Sequence, residues 1–197
     1  LGVERLSKQP PDGYSLMWAA NGALTIVPSL QPVGFDPLKD LAPIAIMLAM
    51  PSVFLVPEAS PFRGMQDVIA AARARPGELS YGTPGVGTPQ HIATEMLCRS
   101  AGVTMEHIPY RGAAIAAVDI IGGRVDFMIT NIGDVAGQVR DGSMRFIAQG
   151  DPTRVTGYES LPRIADTLPG FDVTGWFGLC LPRGTPADVV ARWDGAV

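Results

Sequence analysis

The sequence predicts an α/β fold, with parallel-rich sheets flanked by helices and two lobes joined by two crossovers. Three observations carry this. From residue 60 onward, short apolar strands alternate with helical stretches, the rhythm of a parallel sheet with helices on both faces. Ahead of this block stands Val53-Phe54-Leu55-Val56, continuous and partly β-branched as buried parallel strands are. Behind it stands a second long apolar run, residues 173–181. Two such runs around a self-contained block make residues 58–172 an inserted lobe. Residues 1–57 and 173–197 then form a first lobe that is only partly present.

Each element follows from local chemistry. Residues 1–8 end a helix, and Pro10-Pro11-Asp12-Gly13 is a turn. Residues 14–20 read as a strand broken by Asn21-Gly22, and residues 23–30 suit a helix or a loop. Residues 36–40 make a polar turn, and residues 44–56 two extended pieces joined at Pro51-Ser52. Met65, Val68, Ile69 and Ala72 share one face of a helix over 65–74, which Pro76-Gly77 stops. Further strands are expected at 79–81, 106–108, 125–130 and 145–148, and helices at 88–101, 113–121 and 134–139. Near the end, Thr185 reads as the N-cap of a last helix with Pro186 in its first turn. Both ends of the sequence fall inside helices, so the chain reads as an excerpt truncated at both ends.

Composition narrows the function. Hydrophobic residues make up 47% of the 197 and charged residues 17%, which excludes a disordered chain. The net charge is -4 and the Lys and Arg residues are scattered singly, which argues against a nucleic-acid partner. An anionic ligand would therefore be held by backbone donors and a few local groups. The most apolar stretch, residues 43–57, is broken at Pro51-Ser52 and is too short for a membrane-spanning helix. Residues 1–8 are amphipathic, without the basic and apolar regions of a signal peptide; an exported protein given without its start would look the same. Cys98 and Cys180 lie far apart in apolar stretches and are expected to be buried free thiols. His91 and His107 have no neighbours at ligand spacing, so neither a metal nor a cofactor is expected.

Three turns carry candidate chemistry. In Gly82-Thr83-Pro84-Gly85-Val86-Gly87-Thr88 the glycines admit close backbone approach, Thr88 can cap and Pro89 fits the first helical position. The N–H groups at such a helix start, with the positive end of its dipole, favour an anion. Gln90 at the third glycine position rules out a dinucleotide fingerprint, and no Gly-Lys-Ser/Thr follows to make a phosphate loop. The same residues also suit an ordinary strand-to-helix connection. Pro109-Tyr110-Arg111-Gly112-Ala113-Ala114 is a second turn opening a helix, and ligands of open parallel sheets sit beyond the carboxyl ends of the strands. Arg111 could pair with a carboxylate or simply face solvent, and Tyr110 could pack or touch a ligand. The third turn, Thr130-Asn131-Ile132-Gly133, offers the Asn131 amide. Asp126 could accept from a ligand hydroxyl or amine, or fix a neighbouring loop. For catalysis the inventory is poor: no Ser-His-Asp set surrounds His91, and Ser52, Ser80 and Ser100 show no nucleophile elbow.

An ordered set of motifs matches a known family. It comprises Pro11-Asp12-Gly13-Tyr14-Ser15-Leu16, Asn21-Gly22, Asp36-Pro37-Leu38-Lys39-Asp40-Leu41-Ala42-Pro43 and Pro76-Gly77-Glu78-Leu79. It continues with Gly85-Val86-Gly87-Thr88 and His91, Ile108-Pro109-Tyr110-Arg111-Gly112, Gly123-Arg124-Val125-Asp126, and Trp176-Phe177-Gly178-Leu179 with Pro182 and Gly184-Thr185-Pro186. Over essentially the whole chain this resembles the Bug family, the solute receptors of tripartite tricarboxylate transporters. The resemblance implies a periplasmic binding protein of the type II-like, two-lobed kind. It would be a monomer and not an enzyme, closing over a small organic acid and delivering it to the membrane permease subunits. Family members take dicarboxylates, tricarboxylates, amino acids or aromatic acids, mainly through backbone groups and bridging waters.

Carried over by motif, the ligand contacts are Asn21 and Gly22 from the first lobe. From the second they are Gly85, Gly87 and Thr88, then Tyr110, Gly112 and Ala113, then Asp126 and Asn131. The Trp176 strand and residues 53–56 would be the two hinge crossovers. Two features depart from the family: its N-terminal strand with a glycine-rich loop and its last helices are not found here, and Arg111 stands where lysine is more usual. A receptor that docks a signalling partner instead of a permease shares all these residues, and gene neighbourhood would separate the two. An enzyme acting on a carboxylate is a third reading, for which no catalytic set is visible.

Overall fold

Local chemistry sets the elements of the first part of the chain. The computed structural model describes residues 2–151 and 153–197. It opens with α1 (Gly2–Ser7), followed after the proline turn by β1 (Met17–Ala20). This strand is shorter than the sequence predicts, because the Asp12 carboxylate accepts from the Tyr14 N–H at 3.0 Å and holds residues 12–14 in a turn, with Tyr14 out in solvent. A π-helical turn (Gly22–Ile26) then leads into α2 (Val27–Leu30), with the Val27 N–H reaching back to the Gly22 carbonyl. Pro28 has no N–H to give to an α-helical ladder, and the wide turn lies immediately before it.

The strand β2 (Leu41–Met50) ends the first segment, and β3 (Ser52–Pro57) begins the next. Then come α3 (Met65–Ala74), β4 (Ser80–Thr83), α4 (Pro89–Ala101), β5 (Glu106–Pro109) and α5 (Ala113–Ile121). They are followed by β6 (Phe127–Asn131), α6 (Ile132–Arg140), β7 (Met144–Gln149), a 3₁₀ turn (Ile164–Asp166), β8 (Gly175–Pro182) and α7 (Ala187–Asp194). Pro186, not Thr185, precedes the last helix; the Thr185 hydroxyl donates instead to the Pro182 carbonyl at 2.8 Å and closes the turn after β8.

These elements form two units, Leu1–Ala49 with Gly175–Val197, and Met50–Thr174. The first has a three-stranded sheet in the order β1-β8-β2, with β1 antiparallel to β8. Its core gathers Val3 and Leu6 of α1 with Ala19, Leu41 and Cys180.

The second unit has a five-stranded sheet in the order β5-β4-β6-β3-β7. Strand β4 runs parallel to β5 and to β6, whereas β3 is antiparallel to both its neighbours. Two expectations change here. Residues 53–56 are fully buried as predicted, but continuous apolarity reports burial on both faces and says nothing of direction. The same strand belongs to the second unit, so the boundary falls at Met50 and not after residue 57. Backbone pairing to β6 and β7 holds it there, and the sheet is mixed. Likewise the Trp176 strand lies wholly within the sheet of the first unit.

Alternation along the strands feeds two cores. Phe54, Val56, Phe127 and Ile129 pack with Val68 and Ala72 of α3 and Leu97 of α4. Val53, Leu55 and Met128 pack on the other face with Ala116, Ala117 and Ile120 of α5 and Val135 of α6. A buried polar knot ties the two segments by which the chain enters and leaves this unit. The Asp151 carboxylate accepts from the Ser52 N–H at 2.8 Å and from the Thr174 hydroxyl at 2.9 Å, and the Ser52 hydroxyl donates to the Val173 carbonyl.

Candidate functional site

Parallel pairing decides which candidate residues share a place. Tyr81 pairs with both His107 and Phe127, so β4, β5 and β6 point the same way. Their carboxyl ends, Thr83, Pro109 and Asn131, therefore lie at one end of the sheet. Beyond them stand the turn 84–88, the turn 110–112 and the start of α6. Of the second-lobe candidates, Gly85, Gly87, Thr88, Gly112, Ala113 and Asn131 are at this end.

The turn before α4 is built from two positive-φ glycines and a cap. Gly85 has φ +150° and Gly87 φ +76°, where a side chain is disfavoured. A Cβ on Gly85 would stand 3.5 Å from the Tyr110 carbonyl oxygen, so the first and second turns touch at this glycine. Thr88 caps α4 as the sequence predicts: its hydroxyl accepts from the His91 N–H at 3.3 Å and donates to the Gly85 carbonyl at 2.8 Å. That hydrogen is thereby engaged, so Thr88 acts by shaping the turn. The turn of α5 begins at Gly112, with φ +138°. Neither α4 nor α5 carries an acidic residue in its first turn, and the first N–H groups of each have no partner within the helix.

The third helix start is different. Asp134, in the first turn of α6, accepts from the Thr130 hydroxyl at 2.8 Å and from the Asn131 amide at 3.1 Å. The Asn131 side chain is thus engaged with a carboxylate that already meets the positive end of its helix. The anion-favouring surface narrows to the starts of α4 and α5.

Two candidates are placed differently from expectation. Asp126 lies at the amino ends of β4 and β6, away from the three turns. Its carboxylate accepts from the Ser80 N–H at 2.8 Å and the Ser80 hydroxyl at 2.9 Å, tying the two strands together. Its role is structural, as the second of the two readings of the sequence had it, but it joins strands where a loop was expected. Tyr110 packs its ring among the apolar residues of α5 and donates its hydroxyl to Asp119 at 2.8 Å. Burial, then this carboxylate, pushes the phenol up to about 12; what Tyr110 presents at the turn is backbone. Asn21 and Gly22 lie in the first unit, where Gly22 is buried and the Asn21 carbonyl accepts from the Thr25 hydroxyl at 2.7 Å.

The sequence gives no pairing for His91 and His107, and the structure does. Their rings stack at 4.1 Å, and His107 stacks on Tyr81 at 4.9 Å. The His91 Nδ1 accepts from the Gly87 N–H at 3.2 Å, and the His107 Nε2 lies 2.6 Å from the Thr83 hydroxyl. Burial and then the neighbouring His91 hold the His107 imidazole below its ordinary value, with Glu95 opposing. The helix spacing from Thr88 to His91 was legible; the β4–β5 register that brings His107 alongside was not. Among the described residues no group of three or more His, Cys, Asp or Glu is arranged to hold a metal, and Cys98 and Cys180 are buried and unbridged.

Comparison with known proteins adds an independent line. The family described as tripartite tricarboxylate transporter family receptor matches residues 1–197. A protein of Pseudomonas sp. strain P51, encoded in a tcbD–tcbE intergenic region, is 32% identical over 199 residues, covering 100% of this chain and 59% of that protein. Among solved structures, Rpa4515 of R. palustris with adipate has a TM-score of 0.85 at 30% identity, over 96% of this chain and 64% of that one. MatC from Rhodopseudomonas palustris with bound malate has a TM-score of 0.84 at 26% identity, over 99% of this chain and 67% of that one. The chain thus spans about three-fifths of the curated relative's length.

Proposed function

We infer that this chain, which belongs to the family of tripartite tricarboxylate transporter receptors, is the part of a periplasmic solute receptor that grips a small organic carboxylate. The acid would be passed to the membrane permease subunits of such a transporter, and the receptor itself would act as a monomer and do no chemistry on it. One observation carries the reading. Helices α4 and α5 start side by side at one sheet end, joined where Gly85 meets Tyr110, and neither fills its own start with an acidic side chain.

A carboxylate set there is held by backbone N–H groups and by the positive ends of two helix dipoles. Gly85, Gly87, Gly112 and Ala113 let the ligand approach the backbone, and Thr88 holds the turn in shape. Arg111 is the sole cation within residues 82–88 and 109–114, so selectivity rests on shape more than on a positive field. The solved relatives bound to adipate and to malate are dicarboxylate complexes of the same family fold, which supports a ligand of this class.

The test is equilibrium titration of the protein with a panel of mono-, di- and tricarboxylates that includes adipate and malate. At least one should bind with measurable heat and raise the unfolding temperature, as mass action requires of a ligand for the native state. A panel in which no acid binds or shifts unfolding would overturn the reading.

A further inference from the structure

The two histidines sit at the end of a row of rings. Phe54 of β3 stacks on Phe127 of β6 at 4.4 Å, Phe127 on Tyr81 of β4 at 5.9 Å, Tyr81 on His107 of β5 at 4.9 Å, and His107 on His91 of α4 at 4.1 Å. The first three rings are fully buried, so the row is anchored in the core and its last member reaches the turn before α4. Stacked rings hold each other's orientation, and the imidazoles at the end of the row are therefore aimed.

Both imidazoles bear on the turn. His91 takes the Gly87 N–H on Nδ1. His107 stands against the Thr83 hydroxyl, and that hydroxyl accepts from the Gly85 N–H at 3.3 Å. Gly85 and Gly87 are the two positive-φ residues of the turn, and each has its N–H fixed through one ring. An acceptor at Nδ1 must be unprotonated, which places the proton of His91 on Nε2. A protonated Nδ1 would point a hydrogen at the Gly87 N–H, and the contact would open.

We propose that His91 and His107 are positioning residues of the carboxylate grip: the neutral His91 ring, aimed by its stack on His107, locks the Gly87 amide and so sets the shape of the turn. This rests on the carboxylate reading for its functional meaning, and its geometry can be tested without it. Tyr81 from β4 stacks on the His107 ring, and Glu95 from α4 acts on it electrostatically. The Tyr81 hydroxyl donates to Glu95. At 4.1 Å between ring centroids, charging one imidazole disfavours charging the other. The turn is thus held while the His91 ring is neutral and released when Nδ1 takes up a proton.

Two measurements decide it. In the ligand-free protein, the Gly87 amide resonance should move together with the His91 ring resonances across a pH series. In His91→Asn, whose Oδ1 sits where Nδ1 was and accepts without titrating, the Gly87 resonance should stay still. A Gly87 amide blind to the wild-type titration overturns the proposal, whatever the protein binds. Adipate and malate are then titrated at pH 7.5 into wild type, His91→Phe and His91→Asn. Phenylalanine keeps the stack and loses the acceptor, and affinity should fall about fivefold to tenfold, the loss of one hydrogen bond; asparagine should recover most of it. Equal affinity in His91→Phe overturns the proposal. If neither acid binds the wild type, it is the carboxylate reading that loses support, while the amide titration still decides the role of His91.

Discussion

Helices α4 and α6 begin at the same end of one sheet, each after a parallel strand, yet their third residues differ in kind. In α6 that residue is Asp134, which draws in Thr130 and Asn131 and meets the helix dipole with its own carboxylate. In α4 it is His91, which gives its N–H to Thr88 and takes the Gly87 N–H on its ring. In α5, the third helix of the set, it is Ile115, largely in solvent. A helix start is an anion site only where the sequence leaves it unfilled. One end of one sheet thus holds two starts without a carboxylate of their own and one that carries it.

The comparison can be broken most forcefully at the opposite end of the sheet. Asp126→Ala removes the acceptor of the Ser80 N–H and hydroxyl, and should cost about 2–3 kcal/mol of stability, the range for hydrogen bonds to a charged group. Chemical denaturation measures this, and carboxylate affinity under native conditions should be unchanged. A loss of affinity without a loss of stability would return Asp126 to the ligand site.

Closing an open start comes next. Ile115→Asp gives α5 the acidic first turn that α6 has, on a side chain already exposed. Carboxylate binding should weaken by about 1–2 kcal/mol, the size of a helix-dipole interaction replaced by repulsion, while the unfolding temperature holds or rises. Unaltered affinity, read by calorimetry, would show that the α5 start takes no part.

A pH series sharpens the role of the ring pair. His107 lies below its ordinary value in the folded state, so the unfolded chain binds more protons as pH falls through about 6.5. Its contribution is therefore full above that value and is lost below it. Denaturation midpoints at pH 7.5 and 5.5 should differ more in wild type than in His107→Phe, which keeps the ring and cannot titrate. Opening the closed start has the smallest expected effect: Asp134→Asn should raise carboxylate affinity by about twofold to threefold, and a drop in affinity would make Asp134 a ligand contact in its own right.

Much of this was legible from the residues. Helices α3 and α5 occupy the predicted residues, since apolar periodicity and glycine or proline stops are local signals. The Thr88 cap was legible for the same reason: its hydroxyl bonds three residues along its own chain. Asp126 was not, because what it ties is Ser80 on another strand. Nor was the direction of β3, whose unbroken run Val53-Phe54-Leu55-Val56 fits a buried strand of either sense.

From local signals alone, then, the sequence specifies most of the elements, the two glycine turns before α4 and α5, and the motifs of the receptor family. All of these depend on backbone preferences and contacts within a few residues. Only the tertiary structure decided which turns are neighbours and which helix start is already occupied, and that His107 lies against His91. Those facts depend on strand order and register, which bring together residues far apart in the chain and which no local pattern encodes.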